Sequence, residues 1–254
     1  MRLLSLSQYL LVIKTCREKL GQIVKIVAGQ EEIEVAIQKS LPCAESKFLE
    51  AEFEKNVEPG VTNKVVIAEH SSMAVLIFAN WLWTAKVETV EEYTDIRSGS
   101  QETQDVITGT KAQWSALADC FRLGEYLVAG RFKNDVMDAL VSKSKEIHEL
   151  GGAAGLNSDQ LNAIYDGTNE SSPLRRLVLH NFLVSDVENI IDELDDSLAR
   201  VREFLKDVAK YTLSKLRHSS SNDSSASSEE PWSWSSCEYH EHVDQGEGFY
   251  CTKR

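Results

Sequence analysis

From Ser71 to Lys86 the chain reads SSMAVLIFANWLWTAK, its densest apolar run. Met73, Val75, Leu76, Ile77, Phe78, Trp81, Leu82 and Trp83 would cover nearly the whole circumference of a helix. A helix that is apolar all round has no face to offer water, so the pattern predicts a central helix that other elements must enclose. At about 2 kcal/mol per buried side chain these residues supply a gross gain of about 16 kcal/mol. That rivals the whole net stability of a domain. The competing reading is an exposed aromatic platform for a ligand, and large exposed apolar patches are uncommon on soluble monomers.

The enclosing elements begin with IVKIVAGQEEIEVAIQKSLPCAESKFLEAEF, from Ile23 to Phe53. Ile23, Val24, Ile26 and Val27 are β-branched, and Ala28-Gly29-Gln30-Glu31 supplies a turn in which Gly29 can take a positive φ without steric cost. Ile33, Val35 and Ile37 alternate with Glu34 and Ala36, the period of a strand buried on one face. Ser40 offers a hydroxyl to cap one short helix, and Glu45-Ser46 opens a second through Phe48, Leu49 and Phe53. Pro42 fits only within the first turn of its helix, where its missing N–H is not needed. Lys64-Val65-Val66-Ile67 reads as a third strand, reached through the polar loop Glu54–Asn63 with Pro59-Gly60 as its turn.

The run IEVAIQKSLPCAESKFLEAEF resembles the first half of a BTB/POZ domain of the fungal type. There a hairpin leads into a valine-histidine-lysine-serine-leucine-leucine-cysteine run and then a helix ending in phenylalanines. Here the run is Ile37-Gln38-Lys39-Ser40-Leu41-Pro42-Cys43, with Gln38 in place of the histidine and Pro42 in place of a leucine. Trp81-Leu82-Trp83-Thr84-Ala85 is similar to the family's tryptophan-leucine-tyrosine-threonine-glycine, with Trp83 and Ala85 as departures. LADCFRLGEYLVAGRFKNDVMDAL resembles the paired helices that close the domain, and Lys133-Asn134 falls where the same pair often stands. AIYDGTNESSPLRRLVLHNF matches a segment downstream of the domain in fungal members. The Ser-rich, low-hydrophobicity stretch Ser219–Ser236 predicts a disordered tail. The resemblance implies an α+β fold, a small β-sheet flanked by α-helices, followed by a helical extension.

It divides the chain into an N-terminal helix at 1–21, a BTB/POZ-like domain at 22–150 with an insertion at 87–113, a helical extension at 156–217, and a Ser-rich linker with a Cys/His tail at 218–254. In the first segment Leu3, Leu6, Leu10 and Ile13 lie along one side of a helix. A signal peptide is the alternative there, but Ser5, Ser7 and Gln8 interrupt the apolar run and no small-residue cleavage site follows. The insertion is polar and acidic, with Gly99 and Gly109, and reads as a solvated loop or a partner-specific one.

Helices are expected over Trp114–Leu127, with Trp114, Leu117, Ala118, Phe121 and Tyr126 or Leu127 inward, and over Phe132–Ile147, with Phe132, Val136, Met137, Leu140 and Val141 inward. Ala129-Gly130 separates the two. Ser158 is expected to cap a short helix to Asp166, and Pro173 to begin the next. Arg175-Arg176 reads as a solvated face pairing with the acidic stretch that follows, or as a basic partner site. Asp186–Arg217 reads as one long acidic helix whose stripe includes Ile190, Leu194, Leu198, Val201, Phe204 and Val208.

A net charge of −13 argues against a nucleic-acid surface, which needs clustered Lys and Arg. Five widely spread cysteines fit a reducing compartment, cytoplasmic or nuclear, and no run approaches the roughly 20 apolar residues of a membrane span. There is no glycine-rich phosphate loop, nucleophile elbow or paired zinc-ligand helix. His70, His148, His180 and His218 are scattered, and Cys43 and Cys120 sit within apolar patterns, so no catalytic residue and no cofactor is expected. Cys237, His240, His242 and Cys251 have the ligand types of a tetrahedral zinc site, but not the spacing of a standard finger. The expectation is a protein–protein interaction module, a self-associating (homodimeric) scaffold or regulator. The alternative is a substrate adaptor on a cullin scaffold of a ubiquitin ligase, although no kelch, ankyrin or zinc-finger repeat follows to bind a substrate.

Overall fold

The computed structural model describes residues 22–29, 32–55, 64–89, 100–154, 157–185, 191, 194, 195, 199–219 and 236–241. The 1–21 segment, the loop at 56–63 and the Ser-rich stretch lie outside these residues.

The hairpin forms where the alternating pattern places it. Strands β1 (Ile23–Ala28) and β2 (Ile33–Gln38) pair antiparallel, from Ile23 opposite Gln38 to Ala28 opposite Ile33. Strand β3 (Lys64–Ile67) adds to the other edge of β1 in parallel, with Lys25 opposite Lys64. The order β2-β1-β3 makes β1 central, and Val24, Ile26, Val27 and Ala28 are all buried. On the wet face Lys25 Nζ donates to Glu34 across the hairpin at 2.6 Å, and Lys64 approaches the same carboxylate at 3.6 Å.

Gly29 joins this sheet to the apolar helix. Its φ is +66°, its N–H donates to Ile67 O at 3.0 Å, and a Cβ there would stand 2.2 Å from Ser72 Oγ. Only glycine meets both the conformation and the contact. Between β2 and β3 lie α1 (Ser40–Glu45) and α2 (Lys47–Lys55), with Pro42 in the first turn of α1 as its chemistry requires. Ser40 does not cap α1; Lys39 holds that position with no side-chain bond. Ser46 does cap α2: its Oγ accepts Leu49 N–H at 3.1 Å and donates to Leu127 O at 2.6 Å.

The central helix α3 (Ser72–Thr84) packs through Phe78 and Trp81 against Phe132, with centroids 5.0 and 5.1 Å away. Trp81 Nε1 donates to Asp135 at 2.8 Å. Two long helices follow, α4 (Ser100–Tyr126) and α5 (Gly130–Glu149). The loop reading of the 87–113 insertion therefore fails from Ser100 onward. Ile107 and Thr110 precede Trp114, Leu117 and Phe121 at helical spacing and extend the same stripe, with Thr110 buried and bonded through Oγ1 to Val106 O. The break falls at Val128, which takes φ +53°, while Gly130 is already helical. Leu127, not Tyr126, is the buried residue of that turn.

Three further helices follow among the described residues: α6 (Ser158–Asp166) and α7 (Pro173–Val184), both short, and the longer α8 (Ala199–Ser219). Asn157, not Ser158, caps α6 by accepting Gln160 N–H, and Ser158 Oγ instead accepts Asp195 N–H at 2.8 Å. The long helix expected from Asp186 is not continuous, because Leu194 and Asp195 are non-helical and α8 starts at Ala199. Pro173 opens α7 with Ser172 as its cap. One buried apolar cluster runs from Val24 to Tyr239 and so includes the sheet, the paired helices and α6–α8 together. A buried polar knot crosses it. Ser144 Oγ on α5 receives Trp114 Nε1 of α4 and Asn181 Nδ2 of α7, each at 3.0 Å. The fold is α+β, a small sheet enclosed by helices.

Candidate protein-interaction surfaces

Helix α3 is not enclosed on all sides. Of its eight large apolar residues, Val75, Ile77, Phe78 and Trp81 are buried, which halves the expected gain to about 8 kcal/mol. Met73, Leu76 and Trp83 stand exposed, Trp83 by 62%, and spacings of three and seven put them on one side of the helix. Sequence pattern could not separate the faces, because every direction around the helix carries a large apolar residue. The helix ends at Ala85, left-handed at φ +53°, whose N–H donates to Trp81 O.

The nucleophile and base candidates are dispersed. Cys120 is fully buried and burial raises its thiol well above the ordinary range; Cys43 is raised by burial too, with Lys39 opposing. Neither is poised as a thiolate. His70 lies beside Tyr126, its ring centroid 5.0 Å away, and is lowered by burial and then by Arg122. Arg175 is not on a solvated face. It is buried, donates to the carbonyls of Tyr165 and Thr168, pairs with Glu203 of α8 at 2.7 Å, and lies over the Tyr165 ring. It closes the carbonyl end of α6 and ties α7 to α8.

Arg176 points elsewhere, to the tail. Residues Ser236–Tyr239 form a single 3-10 turn against α5 and α7. Arg176 Nη1 donates to the Glu238 carbonyl at 2.7 Å and approaches its carboxylate at 3.3 Å. Tyr239 is buried, with its hydroxyl 2.8 Å from His180 Nδ1. Burial, with Arg176 and Lys215 nearby, pushes His180 down to about 4, so the neutral ring can accept the Tyr239 O–H. His240 Nε2 lies 3.1 Å from Asp138. Asn134 grips the Glu241 backbone from both sides, accepting its N–H at 3.0 Å and donating to its carbonyl at 3.4 Å.

Lys133 pairs with the Glu241 carboxylate and, at 3.2 Å, with Glu125. A Cβ on Gly124 would stand 2.6 Å from Lys133 Cγ, so glycine there leaves room for the lysine stem. Of the four residues with zinc-ligand chemistry, His240 is the one whose side chain is described, and its partner is Asp138. His242 and Cys251 lie outside the described residues, as does the Cys237 side chain. No group of three or more His, Cys, Asp or Glu suited to a metal occurs among the described residues.

No family model and no curated protein matches the sequence. Among solved structures, the chain is similar to the BTB (Tramtrack and Bric a brac) domain of human gigaxonin, at 16% identity and a TM-score of 0.30, over 55% of this chain and 97% of that one. No helix among the described residues is long and apolar enough to cross a membrane.

Proposed function

We propose that the chain is a protein-interaction module of the BTB/POZ type that acts without catalysis as a self-associating scaffold or regulator. On this reading residues 22–150 are the BTB/POZ-like domain and 156–217 its helical extension. The observation that carries it is the open face of α3, where Met73, Leu76 and Trp83 meet solvent beside a well-filled core. Exposed apolar side chains grouped on one rigid helix are the usual mark of a protein contact. Two features of the chain support the family. The motif run Ile37–Cys43 leads from the hairpin into α1 and α2. Ala85, where the family has glycine, sits in the left-handed position that favours glycine.

Size-exclusion chromatography with light scattering tests the reading on the full chain. The expected result is a dimer that Leu76→Asp with Trp83→Asp converts to a monomer of unchanged circular dichroism. A wild-type chain that stays monomeric at about 100 μM, two orders above a μM dissociation constant, would remove self-association. Stoichiometric co-purification with a cullin would move the assignment to the adaptor.

A further inference from the structure

The face shared by α5 and α7 reads four consecutive tail residues one by one. Glu238 meets Arg176, Tyr239 meets His180, His240 meets Asp138, and Glu241 meets Lys133 and Asn134. Packing of a core segment needs none of this. Burial of Tyr239, a backbone fork on residue 241 and a hydroxyl partner for residue 239 together allow one alignment alone. Part of the host side is held by the host helices themselves, as Lys133 runs over Gly124 and pairs with Glu125 within α4–α5. The combination of a deeply seated aromatic with a bonded polar tip, an amide fork on the main chain, and charges at both ends is that of a peptide-binding site.

We propose that this face is a binding site for a short tyrosine peptide flanked by acidic residues, and that Glu238–Glu241 is its resident, exchangeable ligand. The site is separate from the α3 face and does not depend on self-association. Sixteen residues, 220–235, connect the end of α8 to the 3-10 turn. At about 3.3–3.6 Å per residue they can span up to roughly 55 Å, ample to reach the site on the same chain or on a second copy. A ligand tethered this way faces its site at an effective concentration on the order of mM. A free peptide must therefore exceed that level to enter the wild-type chain, and the site opens to it only when the resident residues are weakened.

The test uses the full chain carrying Tyr239→Ala and a fluorescent synthetic peptide of residues 236–242 with Cys237→Ser, followed by anisotropy. The expected result is saturable binding to the Tyr239→Ala chain at least about tenfold tighter than to wild type, the step that losing one anchoring contact predicts. A further Asn134→Ala should weaken it, and so should phosphorylating the peptide tyrosine, since the hydroxyl is buried against His180. An exchangeable ligand leaves its host folded. Loss of cooperative melting in Tyr239→Ala would mean that Tyr239 is core and would overturn the proposal. So would a folded Tyr239→Ala chain that ignores the peptide, or binds a scrambled one equally well.

Discussion

Helix α3 and the tail segment 236–241 invert each other. The helix has large apolar residues in every direction and leaves Met73, Leu76 and Trp83 in water. The segment around Tyr239 is mostly polar and charged, yet its tyrosine is 1% exposed. Hydropathy sets how much a segment gains from burial. Which part is covered depends on what the rest of the chain can place against it. Helix α3 packs on α4, α1 and β2 and, through Phe78 and Trp81, on Phe132 of α5, while Met73, Leu76 and Trp83 remain partly or mostly exposed. The side chains from Glu238 to Glu241 each have a polar partner, which offsets their desolvation. Apolar density therefore marks a candidate core or a candidate interface alike, and polarity does not exclude burial when hydrogen bonds are reciprocal.

The contrast is broken most directly inside α3. Phe78→Ala opens a cavity between Trp81 and Phe132, and the expected loss is about 3–5 kcal/mol in urea unfolding. A loss under about 1 kcal/mol would mean that the two arcs of the helix do not differ. The polar side of the comparison is sharpened at Ser144. Replacing it with alanine leaves Trp114 Nε1 and Asn181 Nδ2 without their acceptor, at an expected cost of about 1–3 kcal/mol. Asn181→Leu in the Ser144→Ala background should recover part of that loss, since one fewer polar group is then stranded.

The tail carries a pH dependence. His180 faces Arg176 from its own helix, Lys215 and Tyr211 from α8, and Tyr239 from the tail. Its folded value is depressed to about 4 from the ordinary 6.5. Above pH 6.5 the ring is neutral whether or not the tail is docked, and docking is at full strength. Below 6.5 a released ring, no longer covered by Tyr239, takes up a proton more readily than the docked one, with Arg176 and Lys215 still opposing it, so docking weakens as pH falls toward 4. Tyr239 should then become accessible to iodination at pH 5 but not at pH 7.5, and His180→Gln should flatten that difference. Equal accessibility at both values would count against the His180–Tyr239 contact as the seat of the tail.

Much of the framework is legible because period alone determines it. The strands at Ile23–Ala28, Ile33–Gln38 and Lys64–Ile67, the first-turn place of Pro42 and the cap at Ser46 all follow from local chemistry. The errors have physical reasons as well. Ser158 and Asn157 are both good caps, and nothing within five residues says which will serve. The first turns of α4 are polar, so only Ile107 and Thr110 betray that the stripe of Trp114 continues upstream. Of the four residues of zinc-ligand chemistry in the tail, His240 alone has a described side chain, and the described geometry of the tail rests on other groups. Tyr239 is the anchor there, and a lone tyrosine between acidic residues beyond a Ser-rich stretch was the available signal. Its partner His180 lies 59 residues away, a pairing that no local pattern encodes.

The smallest expected effect is at Trp83, and it discriminates best. A tryptophan that stabilised the fold by burial would cost about 3–5 kcal/mol on truncation to alanine. At 62% exposure Trp83 should instead shift the unfolding free energy by no more than about 0.5 kcal/mol. The measurement has to be made at low μM protein, because a self-associating chain gains stability with concentration and would lend Trp83 an apparent contribution from the dimer. If the effect is near zero when dilute and grows as protein is added, the residue belongs to an interface. If it is large at every concentration, the exposed arc of α3 is supported from within the chain, and the difference between the two regions disappears.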